Sequence, residues 1–183
     1  MNKEFIPLNL KGAFIIQPKE FRDARGFFME SYNKKDFEEG GINDNFVQDN
    51  YSFSVKHVLR GLHLQKKPYE TSKLVQCVNG EIFDVLVDLR KESPSFGKWE
   101  GYVLSQENKK TLYVPKGFAH GFCILSDTAT VIYKVDEYYH PGADLIIRWD
   151  DPNIGISWPV KDPILSEKDK NAPFLKEIVD FLS

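Results

Sequence analysis

Four stretches of the chain set ionisable side chains among glycines and apolar, strand-forming residues: Arg60-Gly61-Leu62-His63, Lys73, Gly117-Phe118-Ala119-His120 and Tyr133. Together they hold two imidazoles, a cation and a phenol. A histidine is a good base at neutral pH when a carboxylate fixes its tautomer. A lysine can set positive charge against a developing enolate oxygen, and a tyrosine can return a proton from the opposite side. These are the parts for removing a proton next to a carbonyl and replacing it. Taken singly, Lys73 also reads as a solvated strand-edge cation and Tyr133 as a core aromatic. His57 and His140 sit in loop-like settings (VKHVL, YYHPG) and read as structural or surface residues. His63 and His120 differ, because glycine and apolar neighbours predict burial, and a buried imidazole needs partners.

Other chemistries fit less well. Pro115-Lys116-Gly117-Phe118-Ala119-His120 has the P-x-G-x-x-H form of metal-binding cupins, but the earlier stretch His63-Leu64-Gln65 carries one histidine rather than two. Two imidazoles without a placed carboxylate make a poor metal site, so the expectation is no metal. There is no G-x-S-x-G for a nucleophilic serine and no phosphate-cradling G-x-x-x-x-G-K loop. The two cysteines, Cys77 and Cys123, lie in apolar runs and read as buried, reduced thiols. A net charge of −3 over 183 residues argues against a general nucleic-acid binder. The N-terminal stretch has no apolar signal-like region, and no run approaches membrane-spanning length. A cytoplasmic protein bound to neither membrane nor nucleic acid is expected.

These residues come from separate predicted strands, so only a folded barrel or sandwich can bring them together. Short β-branched or aromatic segments run through the chain: Ala13–Pro18, Phe27–Tyr32, Val47–Phe53, Leu62–Gln65, Lys73–Val78, Glu81–Leu89, Trp99–Leu104, Thr111–Val114, Gly121–Leu125, Thr128–Tyr139 and Leu145–Trp149. Turn-forming residues separate most of them. Asn79-Gly80 is the strongest hairpin signal, since that pair tolerates the positive φ of a tight turn. Within Glu81–Leu89, Phe83, Val85, Val87 and Leu89 share one apolar face, while Asp84 and Asp88 alternate with Ile82 and Leu86 on the other. Such a strand lies between a packed core and a partly polar cavity. Helix is expected at Lys34–Glu39 and after Ser166, an N-cap followed by Phe174-Leu175, Ile178-Val179 and Leu182 at helical spacing. The whole pattern predicts a single domain over residues 1–183. It is all-β, a jelly-roll double-sheet barrel with short C-terminal helices.

The motifs F-R-D-A-R-G-F-F-M-E-S-Y (Phe21–Tyr32), V-Q-D-N-Y-S (Val47–Ser52), V-L-R-G-L-H-L-Q (Val58–Gln65) and K-L-V (Lys73–Val75) occur in order. G-E-I-F-D-V-L-V-D-L-R (Gly80–Arg90), S-P-S-F-G-K-W (Ser93–Trp99), P-K-G-F-A-H-G-F (Pro115–Phe122), W-D-D-P (Trp149–Pro152) and L-S-E-K-D (Leu165–Asp169) follow them. With these the chain resembles the dTDP-4-dehydrorhamnose 3,5-epimerases, the RmlC-type cupins. The resemblance implies a homodimeric cupin isomerase without metal or cofactor. The substrate so implied would be a dTDP-4-keto-6-deoxy sugar, dTDP-4-dehydro-6-deoxy-D-glucose, converted to dTDP-4-dehydro-L-rhamnose in dTDP-L-rhamnose biosynthesis. It also implies the roles: His63 as base for C3 and C5, Asp169 as its carboxylate partner, Tyr133 as acid, and Lys73 facing the C4 oxygen. Arg25, Glu30, Gln48, Asn50, Arg60, Lys73, His120, Asp144 and Lys168 fall where the family contacts the nucleotide sugar. Tyr139, with Tyr138 as the neighbouring alternative, falls where an aromatic stacks on thymine.

Departures from the family pattern are the stretch Lys66–Ser72, which lacks a glutamine-glycine pair, and Asp144 where glutamate is common. Arg60 and His63 are three apart, which in a flat strand points them to opposite faces, unless Gly61 permits a kink or bulge. Alternatives are a 3-epimerase or 3,5-epimerase of a related nucleotide sugar, and a sugar-binding cupin without catalysis.

Overall fold

Period-two alternation puts one face of most strands inward, and the computed structural model, which describes residues 2–182, closes those strands into two facing sheets. The elements are β1 (Lys3–Pro7), β2 (Phe14–Pro18), β3 (Phe21–Asp23), β4 (Gly26–Phe28), α1 (Lys34–Glu39), β5 (Gln48–Val55) and β6 (Leu59–Gln65). They continue as β7 (Lys73–Asn79), β8 (Glu81–Asp88), β9 (Trp99–Ser105), β10 (Thr111–Val114), β11 (Phe118–Ile124), β12 (Thr128–Val135), β13 (Asp144–Ile146), α2 (Glu167–Lys170) and α3 (Leu175–Ile178). One sheet runs β1-β2-β10-β7-β12-β5 and the other β13-β6-β11-β8-β9, while β3 and β4 form a separate two-stranded hairpin. This is the all-β, double-sheet jelly-roll barrel of the cupins, with minor helices.

The space between the sheets is filled by inward side chains such as Val75, Ile82, Leu86, Leu112, Phe122 and Val131. Each fully buried aliphatic of this kind contributes about 1.5–3 kcal/mol. A second apolar layer, with Val85 and Val87 from β8 and Leu89 just beyond it, lies between the smaller sheet and the C-terminal segment carrying α3. Strand β8 is therefore apolar on one face because it supports that segment, and mixed on the other because it faces the barrel interior.

The C-terminal segment is strapped along β6. Leu59 N donates to Ile164 O at 3.0 Å and Ile164 N to His57 O at 2.9 Å. Asp151 accepts from Leu175 N at 2.6 Å. Ser166 caps α2 as its N-cap, accepting from Asp169 N at 3.1 Å.

Three expectations are corrected by the fold. Asn79-Gly80 does not close a hairpin, because β7 and β8 belong to different sheets and each already has a partner on both sides. Gly80 does take φ +77°, and a Cβ there would lie 2.2 Å from Thr128 O, so the pair makes a tight corner between sheets. The strand expected to run to Tyr139 stops at Val135. Beyond it, Asp136 turns away to accept from Ser72 N at 2.7 Å and to pair with Lys116. Of Phe27–Tyr32 only the first part is strand, and Phe21, Phe27 and Phe28 stand exposed on the hairpin.

Candidate active site

His63 and the side chains facing it are delivered by the two sheets separately. His63 and Gln65 alternate inward on β6, while Leu62 and Leu64 pack outward under the C-terminal segment. From the opposite wall, Lys73 on β7, Tyr133 on β12, and Gln48 and Asn50 on β5 point into the same space. Tyr133 is paired in register with Asn50 on one side and with Val75 on the other, and Lys73, two residues before Val75, is paired with Val135. Tyr139, Asp144 and Lys168 add to the wall of this cavity of about 340 Å³.

The spacing problem at Arg60 and His63 is resolved by a bulge. His63 lies opposite His120, but Arg60 lies opposite Phe122, so two residues intervene on β6 and one on β11. Gly61 makes this possible. Its φ is +133°, and a Cβ there would sit 2.5 Å from Gly121 Cα.

His63 is oriented from outside the cavity. Its Nε2 lies 2.5 Å from Asp169 Oδ1, and Asp169 is almost wholly buried. Burial by itself raises the Asp169 carboxyl, but the hydrogen bond and charge of His63, with Ser166 and the Gly61 backbone, hold it below the usual carboxylate range. An ionised carboxylate only accepts, so the proton resides on Nε2 and Nδ1 carries the basic lone pair. Ser166 fixes the second oxygen, donating to Asp169 Oδ2 at 2.8 Å.

His120, cross-strand from His63, is buried and does not line the cavity. Its Nε2 lies 2.5 Å from Asp84 Oδ1. Burial, reinforced by the charge of Lys73, lowers the His120 imidazole and outweighs the opposing field of Asp84. Burial likewise pushes Lys73 down to about 8, against the fields of Asp84 and Asp144. Burial raises the Tyr133 phenol despite the charge of Arg60, so it keeps its proton at neutral pH.

The remaining expected residues fall in three places. Lys168 is ion-paired with Asp144, which raises its ammonium, and Tyr139 stands exposed at the mouth. Tyr138 is also exposed, but only Tyr139 lines the cavity. Arg60 lies in an adjoining crevice with His63 and Asp169, its Nε donating to Ser54 Oγ at 3.1 Å. Arg25 and Glu30 do not line the cavity: Arg25 pairs with Asp23 on the exposed hairpin, and Glu30 with Lys3. Among the described residues no three His, Cys, Asp or Glu side chains are grouped to hold a metal.

Some cavity residues were not expected. Gln65 shares the face of His63, two residues on, and its Oε1 accepts from His140 N at 2.7 Å while Nε2 donates to Tyr69 O and Tyr138 O. It anchors the loop that carries Tyr139. Thr71 and Glu137 also line the space. The period-two spacing from His63 was the signal for Gln65; Glu137 lay in a segment read as strand.

A double-sheet barrel with an oriented imidazole on one wall and an ammonium and a phenol on the other defines a cupin built for proton transfer. The profile of the dTDP-4-dehydrorhamnose 3,5-epimerase family matches residues 7–177, and the chain belongs to that family. It is 55% identical over 167 residues to a dTDP-4-dehydrorhamnose 3,5-epimerase of Shigella flexneri, covering 91% of this chain and 92% of that protein. The corresponding epimerase of Methanothermobacter thermautotrophicus is 53% identical over 176 residues, covering 94% and 95%. A crystal structure of dTDP-6-deoxy-D-glucose-3,5-epimerase from Legionella pneumophila, in complex with dTDP-4-keto-L-rhamnose, matches with a TM-score of 0.92 and 48% identity. That match covers 96% of this chain and 94% of the other.

Proposed function

We propose that this protein is an isomerase that inverts C3 and C5 of dTDP-4-dehydro-6-deoxy-D-glucose, giving dTDP-4-dehydro-L-rhamnose for dTDP-L-rhamnose biosynthesis. The observation that carries this reading is the placement of His63, with its Asp169 partner, across one cavity from Lys73 and Tyr133. Both stereocentres flank the C4 ketone, so their protons are acidified. His63 takes the proton from one of them, and the C–H electron pair moves into an enolate whose oxygen faces the Lys73 ammonium. Tyr133 then gives its proton to the opposite face of that carbon, which inverts it. The imidazolium loses its proton to water through the part-exposed His63 edge, and the phenoxide regains one, ready for the second carbon. No step needs a metal or cofactor.

Gln48, Asn50, Asp144 and Lys168 serve the nucleotide sugar, Tyr139 stacks on the base, and Arg60 faces the diphosphate with its planar fork, while His120 lies behind the cavity wall. The chain acts as one domain, in the cytoplasm, as a homodimer. Tyr51, Phe53 and Val55 are exposed on the outward face of β5 beside Ile132, and the hairpin carries three exposed phenylalanines. Exposed apolar residues grouped in this way on each element favour a partner. A second copy that lays its hairpin at the mouth of the cavity brings Arg25 and Glu30 to the substrate, which accounts for their distance from the cavity within one chain. The net charge of −3 and the lack, among the described residues, of a helix long and apolar enough to cross a membrane support a reading without nucleic-acid or membrane partners.

The test is incubation with the dTDP-keto sugar in deuterated water, read by NMR. Label at both C3 and C5 with formation of the L-rhamno product is expected. Label at C3 alone identifies a 3-epimerase, and no label identifies a binding protein.

A further inference from the structure

A charged group in the barrel interior, Asp84, has no task in the proposed mechanism. Asp84 sits on β8 between the core residues Ile82 and Leu86, fully buried, and its Oδ1 is taken by His120 Nε2. Among the described residues its Oδ2 has no hydrogen-bond partner. A buried carboxylate oxygen without a partner is costly, so it is kept where a nearby positive charge uses its field. Lys73 is that charge. The groups around the Lys73 ammonium are His63 and its backbone oxygen from β6 at 3.5 Å, Tyr133 from β12, Glu137 and Asp144 at the mouth, and Asp84 with His120 behind. Of these Asp84 is foremost in raising Lys73, ahead of Asp144, which is already paired with Lys168.

We infer that Asp84 is a positioning residue: with one oxygen it holds the His120 imidazole, and with the other it supplies the counter-charge that keeps the Lys73 ammonium charged and directed at the substrate oxygen. The same carboxylate thereby ties the two cations together, since charge on His120 and charge on Lys73 compete for it. The catalytic consequence rests on the epimerase reading; the charge sharing does not.

The experiment titrates Lys73 by NMR of lysine-labelled protein without substrate, with Lys73→Met to assign the signal. The wild type is expected to titrate near 8. In Asp84→Asn, which keeps size and a hydrogen bond to His120 but loses charge, the midpoint falls by about one unit or more. The alkaline limb of kcat/KM, which reports the free enzyme, moves by the same amount, so that well above both midpoints kcat/KM drops about tenfold per unit of that shift. An unchanged Lys73 titration in Asp84→Asn overturns the inference, whether or not the protein proves to be an epimerase. Should Asp84→Asn not fold, Lys73→Met, a change at a cavity wall, provides the reciprocal reading through the ring nitrogens of His120. Removing the Lys73 charge is expected to raise the His120 midpoint, as loss of a neighbouring cation requires, and an unmoved His120 midpoint refutes the coupling of the two cations.

Discussion

Replacing Asp169 by asparagine separates orientation of the base from proton abstraction. Asp169 is 5% exposed at its side chain, with Oδ1 2.5 Å from His63 Nε2. Asparagine keeps the size of the group and its Ser166 contact, but it offers no charge to the imidazolium that forms as the proton arrives. A hydrogen bond to a charged partner contributes about 1.5–3 kcal/mol, and each 1.4 kcal/mol or so is tenfold in rate. That brackets the loss at about 10- to 150-fold. The His63 side chain is itself 37% exposed, so solvent screens part of the charge. The lower half of the range, about 10- to 40-fold, is therefore expected. His63→Ala, which removes the base, is expected to cost more, about 10²–10⁴-fold. The assay is kcat on the dTDP-keto sugar for the wild type, both single variants and the double variant. If Asp169 acts only through His63, the double variant is no slower than His63→Ala alone. An Asp169→Asn enzyme at the wild-type rate, or a further loss in the double variant, refutes the reasoning.

Three further outcomes follow from the geometry. On the proposed mechanism the charged Lys73 faces the enolate oxygen, and its burial places it at about 8, so kcat/KM should fall as pH rises through that value. A profile flat to pH 10 in a stable enzyme contradicts this. Gly61→Ala forces a side chain into the left-handed region and against Gly121, for about 2–4 kcal/mol of strain and overpacking. Chemical denaturation and kcat should both fall, and wild-type values for both would show that the β6 bulge does not need glycine. Asp88 is buried, and although burial raises its carboxyl, hydrogen bonds from Arg90, Ser93 and Ser95 hold it near 2, below the 3.8 of a free aspartate. The fold therefore loses this contribution, roughly 2 kcal/mol, as pH falls from about 4 to 2. Asp88→Asn should destabilise the protein at pH 7 and flatten the urea midpoint over that acid window, and an unchanged acid profile would exclude the role.

The strands and the candidate chemistry were legible in the sequence for different reasons. Alternation in Glu81–Leu89 and Thr128–Val135 is set by which face is buried, and burial follows from residue type. Lys34–Glu39 and the Ser166 cap are local, so the sequence predicts them correctly. What depends on long-range pairing was not legible. Asn79-Gly80 has hairpin chemistry, but neighbours far along the chain occupy both edges of the strands it joins. Arg60 and His63 conflict with a flat strand until the close approach of Gly61 to Gly121 is known. Asp84 carried a visible signal, a carboxylate on the cavity face of β8, but its partner His120 lies 36 positions away and only the β8–β11 register joins them. Arg25 and Glu30 match family contacts by motif, and their position outside the cavity of one chain has no trace in local pattern.

The central claim is that the proton leaves one face of the sugar to His63 and returns to the other from Tyr133, and Tyr133→Phe in deuterated water tests it most directly. The substitution removes only the hydroxyl and keeps the ring against the core. With His63 intact, deuterium exchange at the carbons flanking the ketone should continue, while product with inverted centres falls sharply. Formation of the L-rhamno product by that variant at the wild-type rate would contradict the account.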